Sequence, residues 1–208
     1  MAQLAVGVHG LTPLVLASAS PRRADLLTEA GHGFEVLPAD VDETPRPGEP
    51  AGDVAVRLAE DKARAVAARR PDALVLGGDT VVVRDGALLG KPADADEARA
   101  MLASLSARTH EVISSAALCH APSGVVVSGR HVSVVEFAAL DEATLQAYLE
   151  GDEWRGKAGG YAIQGDAAAF ATLRSGRLDT VIGLSLALVD ELFARLTVAL
   201  RDAQEETP

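Results

Sequence analysis

The chain has 208 residues, of which 48% are hydrophobic, 24% charged and only 3% aromatic, with a net charge of −11. This is globular composition, not disordered or fibrous, and its acidic balance argues against a broad nucleic-acid or anionic-membrane surface. A lone cysteine, Cys119, excludes an internal disulfide framework and fits a reducing compartment. No apolar run approaches the roughly 20 residues that span a bilayer. No Lys or Arg precedes Arg22, so the apolar start lacks the basic first region of a secretory signal. The expectation is a soluble, cytoplasmic protein with one domain over 1–208 and flexible ends at 1–12 and 201–208. With so few aromatics, its core must be built mostly from Ala, Val and Leu.

In chain order, Leu14–Ala17 reads as a short apolar strand and Arg22–Ala30 as a helix closed by Gly31 and Gly33. Phe34–Leu37 is a second strand. Ala39–Gly52 is an acidic Pro/Gly loop long enough to act as a lid. Asp53–Arg69 is helical, with Val54, Leu58, Ala65 and Val66 on one face. "ALVLGG" forms a buried strand and "DTVVVRDGALLG" a hairpin turning at Asp85-Gly86. Asp94 caps a helix to Leu105, with Glu97 completing a capping box. Strands follow at Glu111–Ala121 and Gly124–Ala138, then a short helix at Asp141–Leu149. A Gly-rich segment, "GDEWRGKAGGYAIQG", leads to two short strands around "RSGRLD" and a last helix at Ser185–Leu200. Alternating elements in the first half and clustered strands in the second indicate an α/β or α+β fold with one mixed sheet.

Chemistry concentrates in a few places. In "SASPRRADLL" Ser20 suits an N-cap and Pro21 the first helical position, where bare amides attract anions. Arg22 and Arg23 oppose the helix dipole there by about 0.3–1 kcal/mol each. They either decorate the surface and pair with carboxylates, or join Ser18, Ser20 and the helix end in holding an anion. The second reading is favoured, because a solvated helix start more often carries Asp or Glu. Asp79, wedged in "LVLGGDTVVV", is costly to bury unless paired or bound to a metal. It fits equally a structural turn. Gly77 and Gly78 allow something to approach the backbone just before it. Lys62 and Lys91 are weak signals individually. In "KAGGYAIQG" the glycines surround Lys157, Tyr161 and Gln164; this is a ligand-approaching loop or a tight turn. The Gln164 amide could match the N3–H and carbonyl edge of uracil or thymine. "GLSLA" falls one residue short of a serine-nucleophile elbow, and Ser185 reads better as a helix cap. His110 is a lone histidine beside Arg108.

Taken together, "LASASPRRADLL", "GGDTVVV", "LGKP", "LSARTHEV" and "KAGGYAIQG" resemble the Maf family of nucleoside triphosphate pyrophosphatases, in order and spacing from Leu14 to about Leu196. The resemblance implies a Maf/Ham1-like α/β fold, with an active-site cleft across an elongated mixed sheet. It implies hydrolysis of a nucleoside triphosphate to monophosphate and pyrophosphate, assisted by Mg²⁺ or Mn²⁺, and a homodimer. By the resemblance, Asp79 is the catalytic aspartate and Lys62 and Lys91 are active-site lysines. Ser18, Arg22 and Arg23 bind phosphate, and Glu43 joins Asp79 at the metal. The "IQG" ending resembles the dTTP/UTP subgroup, in which Arg22, Thr80 and Gln164 fall on positions tied to base selection. A 7-methyl-GTP enzyme and a nucleotide-binding regulator of septum formation are the rival readings. The sequence departs from the family at Trp154, Gly156, Leu178, Asp179 and Ser185.

Overall fold

The computed structural model describes residues 12–205. Most of the expected N-terminal tail (residues 1–11) and residues 206–208 lie outside that range. A seven-stranded mixed sheet carries the fold, in the order β2-β1-β3-β5-β6-β7, with β4 pairing β3. Its strands are β1 (Leu14–Leu16), β2 (Glu35–Val36), β3 (Leu74–Arg84), β4 (Ala87–Leu89), β5 (Thr109–His120), β6 (Val125–Phe137) and β7 (Ala171–Ser175). The helices are α1 (Pro21–Glu29), α2 (Ala51–Ala67), α3 (Ala95–Leu105), α4 (Glu142–Glu150), α5 (Leu178–Ile182) and α6 (Leu186–Glu205). No helix among the described residues is long and apolar enough to cross a membrane.

β1 pairs in parallel with both β2 and β3. Parallel strands covered on both faces read as continuous apolar runs, which accounts for "LVL" in β1 and "LVLGG" in β3. The expected break between "ALVLGG" and "DTVVV" does not occur. β3 runs unbroken through Gly77, Gly78 and Asp79, and the hairpin turns at Asp85-Gly86, both at positive φ. The expected strand pair around "RSGRLD" is instead β7 followed by the helical turn α5. Gly176 at φ +86° turns the chain away from β6, and the Ser133 hydroxyl bonds both the N–H and the carbonyl of Arg177 at 2.9 Å. Those bonds take up backbone groups that would otherwise extend the ladder. α6 continues to Glu205 rather than stopping at Leu200, so residues 201–205, expected to be a flexible end, are helical.

By contacts the chain divides into two compact units. One comprises the described part of residues 1–79 with 115–130 and the described part of 183–208; the other comprises 80–114 and 131–182. Within the first unit, a core cluster of Val15, Ala59, Ala63, Val66, Val75 and Ala117 packs small aliphatic side chains between α2 and the sheet. Within the second, five of the seven aromatics of the chain gather: Phe137, Tyr148, Trp154, Tyr161 and Phe170. The core of Ala, Val and Leu expected from composition is present in both units, and the second adds a group of aromatics to it.

Candidate active site

In the first unit, the turn from β1 into α1 builds a basic pocket wall. Ser20 takes the extended N-cap conformation and Pro21 starts the helix, but the Ser20 hydroxyl caps no amide. Ser18 braces the turn ahead of the helix. Its buried hydroxyl accepts from Ser20 N at 3.2 Å and from Arg23 Nη1 at 3.0 Å. Arg23 Nε also donates to the Gly183 carbonyl oxygen at 2.9 Å, so two ends of the guanidinium are tied to different segments. Burial lowers the Arg23 pKa from its ordinary value, the Asp79 charge opposes that, Arg22 reinforces it, and Glu43 opposes it. Burial also lowers the pKa of Arg22. An arginine stays charged through such shifts, so the pocket keeps two cations at a helix start.

Asp79 sits mid-strand in β3, 8% exposed. Its Oδ1 accepts from Lys62 Nζ at 2.7 Å. The same ammonium lies 2.7 Å from Glu43 Oε1. Among the described residues Asp79 Oδ2 accepts no hydrogen bond, which leaves one carboxylate oxygen available to a ligand. The local sequence explains how Lys62 reaches this point. The buried face of α2 contains Val54, Ala55, Leu58, Ala59, Lys62, Ala63, Val66 and Ala67, an i, i+3/i+4 stripe with one lysine in it. Ala65, expected on that face, is only half-buried, because the stripe runs through Ala63 and Val66. Gly77 lets the helix close in. A Cβ there would press into the Ala59 carbonyl oxygen and stand 2.8 Å from Ala63 N. Gly78 does the same for Arg23, whose Nε would lie 3.3 Å from an added Cβ. The two glycines thus admit a helix and a guanidinium on either side of the strand position before Asp79.

Glu43 comes from the acidic loop, which is strapped down at several points. Arg57 on α2 binds both oxygens of Glu49, at 2.6 Å and 2.8 Å, and reaches the Thr44 carbonyl at 3.3 Å. Asp42 Oδ1 accepts from Thr44 N at 2.9 Å, flanking Glu43 with a turn. The Arg57 bonds, and next the Arg46 N–H at 3.0 Å, hold the Glu49 carboxyl at about 2, well below its ordinary range.

The donor set bears on an ion. Two hard carboxylates converge on one cationic point, now the Lys62 ammonium, and Mg²⁺ commonly uses one or two carboxylates plus substrate phosphates. No group of three or more His, Cys, Asp or Glu comes together among the described residues. The residues therefore fit a divalent ion whose remaining ligands come from substrate and water, not a cage made by the protein alone.

Thr80, Lys91 and Gln164 belong to the second unit. Thr80 is half-buried on β3, Lys91 is exposed between β4 and α3, and Gln164 is exposed in a tight turn. Two decoys resolve there and in α6. His110 is buried, with Nε2 2.7 Å from Tyr161 Oη and Phe137 and Tyr161 packed edge-on. Desolvation pushes its pKa down to about 4. Ser185 is fully buried and its Oγ accepts from Leu188 N at 3.3 Å, a helix cap as expected. Sequence reasoning did not find the Gly183 carbonyl that anchors Arg23 or the Arg57–Glu49 strut. Both are contacts across long sequence separation, without a local signal.

Residues 13–196 match the Maf-like protein family. The chain is 50% identical over 183 residues to a dTTP/UTP pyrophosphatase of Rhodospirillum rubrum, covering 88% of this chain and 87% of that protein. It is 48% identical over 174 residues to a dTTP/UTP pyrophosphatase of Novosphingobium aromaticivorans, covering 83% and 86%. A dTTP/UTP pyrophosphatase of Anaeromyxobacter dehalogenans is 45% identical over 184 residues, covering 88% and 93%.

Proposed function

The chain belongs to the Maf family, and from that premise we propose that it is a pyrophosphatase cleaving dTTP and UTP to the monophosphate and pyrophosphate. The observation that carries this reading is the Asp79–Lys62–Glu43 cluster beside the Ser18–Arg23 turn: an anchored carboxylate with one open oxygen next to a built anion site. Arg23, Ser18 and the start of α1 bind phosphate oxygens, with Arg22 adding charge, and the family resemblance assigns Lys91 to the active site as well. Lys62 fixes the Asp79 carboxylate through Oδ1, and Oδ2 orients the attacking water and receives its proton. The water oxygen bonds to the α-phosphorus, the bond to the bridging oxygen of the β-phosphate breaks, and pyrophosphate leaves with the electron pair. Fixed cations stabilise the charge that accumulates on that leaving group. Asp79 and Glu43 would hold a Mg²⁺ or Mn²⁺ ion, which when bound would offset phosphate charge and make water more acidic. By the family resemblance Arg22, Thr80 and Gln164 fall on positions tied to base selection, and the Gln164 amide would pair with the N3–H and carbonyl edge shared by uracil and thymine. A cytoplasmic location rests on the lone cysteine, which fits a reducing compartment, and a homodimer on the family resemblance.

The test is pyrophosphate release from a panel of canonical triphosphates and 7-methyl-GTP with Mg²⁺ or Mn²⁺. Turnover of dTTP and UTP above the others is expected, and its loss in Asp79→Asn with an unchanged circular dichroism spectrum. Preferred turnover of 7-methyl-GTP would replace the substrate assignment. Thermal stabilisation by nucleotide without turnover would make the protein a binder.

A further inference from the structure

The Gln164 turn is held by a small scaffold that the reaction as described does not use. We propose that Glu153 is a positioning residue for base selection: its carboxylate clamps the Gln164 turn and sets where the amide points. The inference rests on the reading of Gln164 given under Proposed function.

Gln164 is exposed, and among the described residues its side chain bonds to nothing. Its direction is therefore set by its backbone, and that backbone is pinned on both sides. On one side, Ala162 N donates to Tyr148 Oη at 3.2 Å and Gly165 N donates to the Ala162 carbonyl at 3.0 Å. On the other, Asp166 N donates to Glu153 Oε2 at 2.9 Å. Gly165 is the contact point: a Cβ there would drive directly into both Glu153 carboxylate oxygens. The carboxylate thus lies against the residue next to Gln164 and bonds the one after it.

Glu153 is itself anchored. Lys157 Nζ donates to its carbonyl oxygen. The next residue, Trp154, is 2% exposed in the aromatic core and its Nε1 donates to the Leu149 carbonyl at 3.3 Å. Trp154, one of the departures from the family pattern, is what fastens the clamp to the core. A selective amide contact needs its donor and acceptor placed to within a fraction of an ångström. Misplacement on the 1 Å scale costs up to about a hundredfold.

The experiment measures kcat/KM for UTP and CTP, which share sugar and phosphates and differ at the pairing edge. Glu153→Ala is expected to lower the UTP/CTP ratio about tenfold or more, mainly by raising KM for UTP. Glu153→Gln keeps an acceptor oxygen at the same reach and should retain most of the ratio. Should Glu153→Ala not fold, Glu153→Asp decides: it keeps the charge but falls a methylene short of Asp166 N, so a lost ratio supports the clamp. A wild-type ratio in Glu153→Ala or in Glu153→Asp overturns the inference, as does an equal loss on both nucleotides. If the wild-type enzyme shows no preference for UTP, the Gln164 reading itself has failed, and the two failures are distinguished.

Discussion

Gly77→Ala tests whether the close approach of α2 to β3 is what seats Lys62 on Asp79. The added methyl would overlap the Ala59 carbonyl oxygen and stand 2.8 Å from Ala63 N and 3.1 Å from Ala63 Cβ. Comfortable contact lies near 3.5–4.0 Å, so the helix must retreat by about 1 Å. Overpacking of this kind costs about 1–3 kcal/mol. For a chain of this length that lowers Tm by about 2–12 °C. Lys62 immediately precedes Ala63, and its 2.7 Å bond to Asp79 Oδ1 stretched by about 1 Å is no longer a hydrogen bond. Turnover should fall by one to two orders of magnitude, about what a 1 Å misplacement costs. Gly78→Ala is the control. Its Cβ would meet Arg23 Nε at 3.3 Å and the Ser115 carbonyl at 3.4 Å, overlaps far milder than those at Gly77. Differential scanning calorimetry with pyrophosphate release reads both variants. A Gly77→Ala protein with unchanged Tm and turnover, or a larger Tm loss in Gly78→Ala, refutes the reasoning.

Two further predictions concern pH and the acidic loop. His110, buried with Nδ1 unpartnered among the described residues, titrates at about 4 in the fold against 6.5 ordinarily. Below the ordinary value the unfolded chain takes a proton that the folded one refuses, so stability falls as pH drops from 6.5 towards 4, then levels. The loss is about 2 kcal/mol between about pH 7 and pH 5, read from urea midpoints, and His110→Phe should remove it. A His110→Phe protein with the wild-type decline would show that another group is responsible. Arg57→Ala should release the Glu49 strap, raising amide exchange over residues 44–49 and slowing turnover through Glu43 while Tm changes little. In the wild type the strap should hold at neutral pH and yield only as acid drops below 4.5 towards about 2, since the Glu49 pKa is depressed. Exchange in Arg57→Ala that matched the wild type would show the loop to be held by something else.

The features readable in sequence were those with a local cause. Ser-Pro at the start of α1, the Asp94 cap and Asp-Gly at the hairpin lie where expected, although the Ser20 hydroxyl itself caps no amide, and Asp141, expected as the first helical residue, is the cap of α4. The double glycine before Asp79 announced a close approach but not what approached, because that depends on α2 docking from residues 51–67. Lys62 was legible in principle, since it falls in the apolar stripe of α2, where an unpaired lysine would be costly. Its partners were not legible: Glu43 comes from an irregular loop fixed by Arg57. The missing strand after Gly176 had a similar cause. The pattern "RSGRLD" fits a strand, but the Ser133 hydroxyl, distant in sequence, takes the backbone bonds a strand would need.

Arg23 is an arginine of α1 that its surroundings fix in place. Arg23 has its Nε and Nη1 committed to a carbonyl and a hydroxyl, and its flank rests over Gly78. A guanidinium fixed at two divergent points is held in one orientation. Lysine cannot reproduce that, since a single ammonium carries no such fork. Asp79 and Glu43 both act on the Arg23 charge, so it belongs to the same electrostatic cluster as Lys62. In that cluster the two carboxylates face the Lys62 ammonium and the Arg23 guanidinium, and Arg22 acts on the Arg23 charge from the same helix start. The helix dipole that made two arginines look misplaced therefore acts in the same direction as they do: amides and guanidinium groups together favour negative charge at the start of α1.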